Sequence, residues 1–167
     1  RFYSEAGIGE AFQQAQPAYD SEIRRYQGPV IQSIFDANAY LRNPTSGLRG
    51  RRFQIFIDLL GAPNQVHTRS FGDEYFVVVT PSAEPRVADI RHAYLHYLLD
   101  PMAIRNSAAL EKKKALGEFA QASPILDEGY KSDFVLLAGM CLVKAVEARM
   151  DARQAPAAVE QAMSEGF

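Results

Sequence analysis

The sequence has one cysteine, Cys141, so no disulfide can form within the chain. Cys141 lies in the longest apolar run, residues 134–143, and there we expect a buried thiol. This run is well short of the ~20 residues that a helix needs to cross a bilayer, so we expect a soluble chain without membrane insertion. The chain begins at Arg1 with no signal-type segment, which fits an exported protein whose signal has been removed or a fragment of a longer protein.

An excess of charge of one sign is also absent. Eighteen basic residues stand against twenty acidic residues, for a formal net charge of −2. No positive field is therefore available to attract nucleic acid or an anionic membrane, and we expect neither as a partner. The sequence also lacks glycine-rich phosphate loops and the G-x-S-x-G nucleophile elbow. Nucleotide hydrolysis and serine esterase chemistry have no support.

What the sequence does contain indicates one folded domain over residues 1–167. The length of 167 residues, with 47% hydrophobic and 23% charged residues, is typical of a globular domain. Apolar residues at three- and four-residue steps predict a helix over residues 4–26, broken or kinked at Pro17. After Gly28 and Pro29, a second helix is predicted up to Leu41.

The middle of the chain predicts a small sheet. Residues 52–60 alternate as a strand, and residues 65–70 and 74–80 predict a β-hairpin around Gly72. A helix is then expected from Val87 until Pro101 stops or bends it, and a long helix from Pro124 to about Met150. Helices, then strands, then helices indicate the α+β class.

Two of the three histidines, His92 and His96, are four residues apart in a predicted helix. This spacing puts both imidazoles on one face, where both can reach a single metal ion at Zn–N distances of ~2.0 Å. The alternative is that both are partly buried packing residues beside Tyr94 and Tyr97.

The segment from Ile90 to Tyr97 resembles the H-E-x-x-H helix of zincin metallopeptidases, and the segment from Pro124 to Tyr130 resembles the glutamate-glycine motif of the gluzincins. The resemblance implies a zincin-like fold with N-terminal helices and a small, mostly antiparallel sheet. It also implies a zinc ion held by His92, His96 and Glu128.

The same resemblance implies an edge strand that lines a cleft and binds an extended peptide. Here that strand is residues 74–80, with Tyr75, Val77 and Val79 as substrate-binding residues. A peptide would join it through main-chain hydrogen bonds.

The sequence departs from the family at Ala93, where the family has its catalytic glutamate. A methyl group cannot accept a proton, so we expect little or no peptidase turnover, whether Ala93 is native or a deliberate change. Asp89 is a weak substitute for the missing base. Asp127 and Asp133 compete with Glu128 as third ligand, although the stabilisation of helix starts is the better interpretation of both.

Three functions follow as hypotheses. The first is an inactive or impaired zinc metallopeptidase-like domain whose cleft binds a peptide or protein segment. The alternative is a non-enzymatic interaction or scaffold domain that binds no metal. A weaker third hypothesis is an active hydrolase that uses Asp89 or a metal-bound hydroxide alone. The sequence leaves the oligomeric state open.

Overall fold

The structure is a computed structural model that describes residues 5–43, 50–151 and 155–167. Its fold is mixed α+β, which confirms the predicted class. The elements, in chain order, are helix α1 (Ile8–Tyr40), strands β1 (Arg52–Ile57), β2 (Val66–Phe71) and β3 (Glu74–Val79), helices α2 (Val87–Arg105) and α3 (Ser107–Glu111), a 3₁₀ turn (Lys114–Gly117), and helices α4 (Glu118–Gln121), α5 (Glu128–Ser132), α6 (Phe134–Met150) and α7 (Ala155–Ser164).

The chain divides into two compact units, the first up to Arg91 and the second from His92 onward. Helix α2 therefore spans the boundary. Within the part of the chain that the structure describes, no helix is both long enough and apolar enough to cross a membrane.

Helix α1 is one continuous helix of 33 residues, so the predicted break into two helices is wrong. Pro17 and Pro29 both lie inside it, and both are exposed. Each proline removes one backbone hydrogen bond and strains the preceding turn. The helix persists because Tyr26 and Val30 are buried and Ala37 is fully buried, and this packing opposes the local cost.

The sheet has the strand order β1-β3-β2, with β1 parallel to β3 and β2 antiparallel to β3. It is mixed rather than mostly antiparallel. The predicted hairpin is confirmed: β2 and β3 are joined at Gly72, whose φ of 56° suits a residue without a side chain.

Strand β3 is central and not the edge strand that the resemblance implied. Its last three residues are valines, and Val77 and Val79 are fully buried. A continuous apolar strand buries most of its surface when neighbouring strands cover both of its edges. Strand β2 is exposed along five of its six residues and takes an edge position.

In the second unit, the start of the long helix differs from the prediction. Asp133 has an extended backbone and accepts hydrogen bonds from the amides of Val135 and Leu136, so α6 begins at Phe134 rather than near Pro124. Asp127 caps the short α5 in the same way through the amide of Gly129. Both aspartates therefore stabilise helix starts, as their positions predicted.

Two further features of this region differ from the expectation. Pro101 does not stop helix α2, which continues to Arg105. Cys141 is exposed rather than buried, although partial burial still raises the pKa of its thiol. The buried apolar side chains of helix α6 include Leu137, Val143 and Val146, and Cys141 is not among them.

Candidate functional site

The site is built around the histidine pair of helix α2. The helix holds His92 and His96 one turn apart, and their Nε2 atoms approach each other to 3.2 Å. The ring centroids are 4.7 Å apart and the ring planes stand at 75°. The predicted placement of both imidazoles on one helix face is confirmed. Their side chains are 32% and 16% exposed, so neither is sealed in the core.

Each imidazole is held from behind by a carboxylate. Glu147, from helix α6, places both carboxylate oxygens 3.1 Å from Nδ1 of His92. Asp100, one turn further along α2, places its two oxygens 3.0 and 3.2 Å from Nδ1 of His96. Helix α6 lies close to this part of α2, since a side-chain carbon at Gly139 would stand 3.8 Å from Ala103 and Asp100. Carboxylates in this position orient ligand histidines and raise their basicity.

The sequence analysis did not identify Glu147 or Asp100 as partners of the histidines. Asp100 could have been found from the sequence, because residues 92, 96 and 100 repeat at four-residue steps and share one helix face. Glu147 could not, since it is separated from His92 by 55 residues and reaches it only through the packing of α6.

The hydrogen bonds to the carboxylates favour one tautomer of each histidine. An ionised carboxylate can only accept a hydrogen bond, so each Nδ1 carries the proton that it donates. A neutral imidazole protonated at Nδ1 has a bare lone pair on Nε2. With both rings in this state, two unprotonated Nε2 atoms are 3.2 Å apart. Such a pair is stabilised by a proton on one nitrogen, which makes a hydrogen bond, or by a metal ion that both nitrogens bind.

A zinc ion fits this spacing. Zn–N bonds of 2.0–2.1 Å at a tetrahedral angle separate two ligand nitrogens by about 3.3–3.4 Å. The 3.2 Å separation in the structure is close to that value. Both Nε2 atoms are therefore positioned as adjacent corners of one tetrahedron.

Glu128 does not join the pair. It is the first residue of α5, its side chain is 86% exposed, and its carboxylate binds Nζ of Lys131 at 2.7 Å. No group of three or more histidine, cysteine, aspartate or glutamate side chains able to hold a metal ion occurs within residues 5–43, 50–151 and 155–167. The structure thus assembles two of the three predicted ligands and does not bring the third to them.

Comparison with protein-family models, with curated proteins and with solved structures gives no match for this chain. The resemblance to zincin metallopeptidases rests on its two motif segments alone.

Neither Ala93, at the position of the general base, nor Asp89, its candidate substitute, is free to act as a base. Ala93 is only 2% exposed, so its methyl group points into packed protein. Asp89 lies in the first turn of α2, and its carboxylate is 2.7 Å from Nε of Arg86. The carboxylate of Asp89 is thus paired with Arg86 at the start of the helix, where the helix dipole stabilises its negative charge.

The predicted peptide-binding strand cannot accept a further strand. Tyr75, Val77 and Val79 lie on β3, where the register pairs each of them with β1 on one side and β2 on the other. The strand's main-chain hydrogen-bonding groups are thus used within the sheet. Tyr75 also stacks on Phe53, with ring centroids 5.7 Å apart.

A second ion pair lies near His92. Nζ of Lys144, on α6 one turn before Glu147, is 2.6 Å from a carboxylate oxygen of Glu165. The hydrogen bond from Lys144 lowers the pKa of Glu165, and a second hydrogen bond, from Gln161, acts in the same direction.

Proposed function

We propose that this chain is a zinc-binding domain of the metallopeptidase type that lacks efficient peptidase activity. Nε2 of His92 and Nε2 of His96 are the zinc ligands, and Glu147 and Asp100 orient the two rings. The observation that carries the proposal is the 3.2 Å separation of the two Nε2 atoms, which is close to that of two nitrogen ligands of one zinc ion, while carboxylates hold both Nδ1 atoms.

The residues around the pair account for the missing activity. A bound zinc ion would polarise a carbonyl group and acidify a water molecule. Peptide hydrolysis also needs a group that takes a proton from that water and passes it to the leaving amine, and Ala93 cannot do so. Loss of such a group typically costs about 10²–10⁴-fold in rate. We therefore expect a site that binds metal and turns over peptide slowly or not at all.

A non-enzymatic interaction domain without metal is the second candidate. The observation that favours it is the exposed apolar surface of α1, where Phe12, Ile31 and Phe35 are each more than half exposed. Exposed apolar patches on a folded chain often mark contacts with another protein. This candidate needs no role for His92 and His96 beyond packing.

Zinc binding by the untagged chain separates the two candidates. We expect zinc to remain bound through purification or to bind on titration, to be lost in His96→Ala, and to be retained in Glu128→Gln, the matched control. Circular dichroism of each variant confirms that it is folded. Equal zinc content in the parent chain and in His96→Ala would overturn the proposal and favour the interaction domain.

A peptidase assay on the zinc-loaded chain tests the second half of the proposal. We expect no cleavage above the rate seen with His92→Ala. Zinc-dependent cleavage that disappears in His92→Ala would show that another group supplies the proton transfer, and the chain would then be an active hydrolase.

A further inference from the structure

We infer that the zinc site is shared between two copies of the chain, each of which contributes its His92 and His96. The inference rests on the proposed function. It concerns the coordination positions that one copy leaves open.

One copy of the chain supplies too few ligands for a zinc site. Structural zinc sites are held by four protein ligands in a tetrahedron and leave no position for a reacting water, which agrees with a chain that does not cleave peptides. One copy supplies two imidazoles, and the part of the chain that the structure describes offers no third donor beside them. The nearest carboxylates, Glu147 and Asp100, are bound to the Nδ1 atoms and support the rings from the far side.

A two-fold symmetric pair of copies supplies the missing ligands. Two Nε2 atoms 3.2 Å apart form one edge of a tetrahedron around the ion. A two-fold axis through the ion maps this edge onto the opposite edge, so an identical pair from a second copy completes the tetrahedron. Two-fold dimers are the commonest oligomers, and their interface uses the same surface on both copies.

The surface around the pair is accessible to a second copy. The side chain of His92 is 32% exposed and that of His96 is 16% exposed, so solvent reaches both rings. The same helix face continues one turn beyond Asp100 to Ile104, which is 67% exposed. A second copy that approaches along this face would cover an apolar side chain as well as the metal.

Sedimentation velocity and zinc titration on the metal-free chain test the inference. We expect a monomer without zinc, a dimer after zinc is added, and saturation at one zinc per two chains. A large excess of zinc should return the chain to monomers, because each copy then holds its own ion. Glu128→Gln should behave as the parent chain, and His96→Ala should stay monomeric.

The outcomes separate this inference from the proposed function. Saturation at one zinc per chain with a monomer throughout would overturn the shared site and leave zinc binding intact. Absence of zinc binding would overturn both. A dimer that forms equally without zinc, or equally in His96→Ala, would also refute the shared site. If circular dichroism shows that His96→Ala is unfolded, His92→Gln serves in its place.

Discussion

The carboxylates behind the histidines give the most specific test of the site. Glu147→Gln and Asp100→Asn keep the size of each side chain and remove its charge. The amide oxygen can still accept the Nδ1 proton, but the ring is then less basic and less firmly oriented. Loss of such a supporting group typically lowers metal affinity by about 10–100-fold, or about 1.4–2.7 kcal/mol.

The structure ranks the two variants. The side chain of Glu147 is 19% exposed, and both of its oxygens are 3.1 Å from Nδ1 of His92. The side chain of Asp100 is 41% exposed, so water competes more strongly for its oxygens. We therefore expect Glu147→Gln to lose nearly 100-fold in zinc affinity and Asp100→Asn to lose nearer 10-fold.

Competition with a chromophoric zinc chelator measures these affinities at constant pH. Glu128→Gln is the control, because its carboxylate is exposed and bound to Lys131. We expect its affinity to equal that of the parent chain. If Glu147→Gln binds zinc as tightly as Glu128→Gln does, the two Nε2 atoms are not zinc ligands oriented through Nδ1, and the reasoning from tautomers fails.

Three further predictions concern packing and charge. Ala93→Glu should lower the free energy of unfolding by at least about 1–3 kcal/mol, because position 93 is buried; an unchanged urea midpoint with new zinc-dependent peptidase activity would show that it faces an open cleft. Leu95→Ala should lower the free energy of unfolding by about 2–5 kcal/mol, because Leu95 is fully buried. Leu60→Ala, at a position that is 92% exposed, should change it by less than about 0.5 kcal/mol. Similar losses for both variants in urea denaturation would contradict the assigned core. The hydrogen bond from Lys144 lowers the pKa of Glu165 in the folded chain, so the unfolded chain binds this proton first and the stabilisation is lost as the pH falls below about 4.3. The stability difference between the parent chain and Glu165→Gln should shrink from about pH 6 to about pH 3, and a constant difference would refute the assignment.

The elements that were predicted correctly depend on residues close together in the chain. Gly72 supplies the turn of the β2–β3 hairpin through its own backbone freedom. Asp127 and Asp133 cap helices through amides two or three residues away. The α+β class follows from the change between helical and alternating apolar patterns.

The predictions that failed depend on contacts between residues that are far apart in the sequence. Pro17 and Pro29 favour a break in α1, but the burial of Tyr26, Val30 and Ala37 holds the helix together. The pattern of β3 predicts a strand and does not say where it lies in the sheet; pairing with β1 and β2 places it in the centre. Glu128 follows a motif-like segment, yet its side chain turns to Lys131 and to solvent.

The histidine site divides in the same way. His92, His96 and Asp100 share one helix face because the helical repeat fixes the direction of side chains four residues apart. The packing of the folded chain brings Glu147 to His92, buries Ala93 and leaves Glu128 outside the site. The pitch of a helix is set by local hydrogen bonds, whereas the position of α6 beside α2 is set by the packing of apolar side chains from distant parts of the chain.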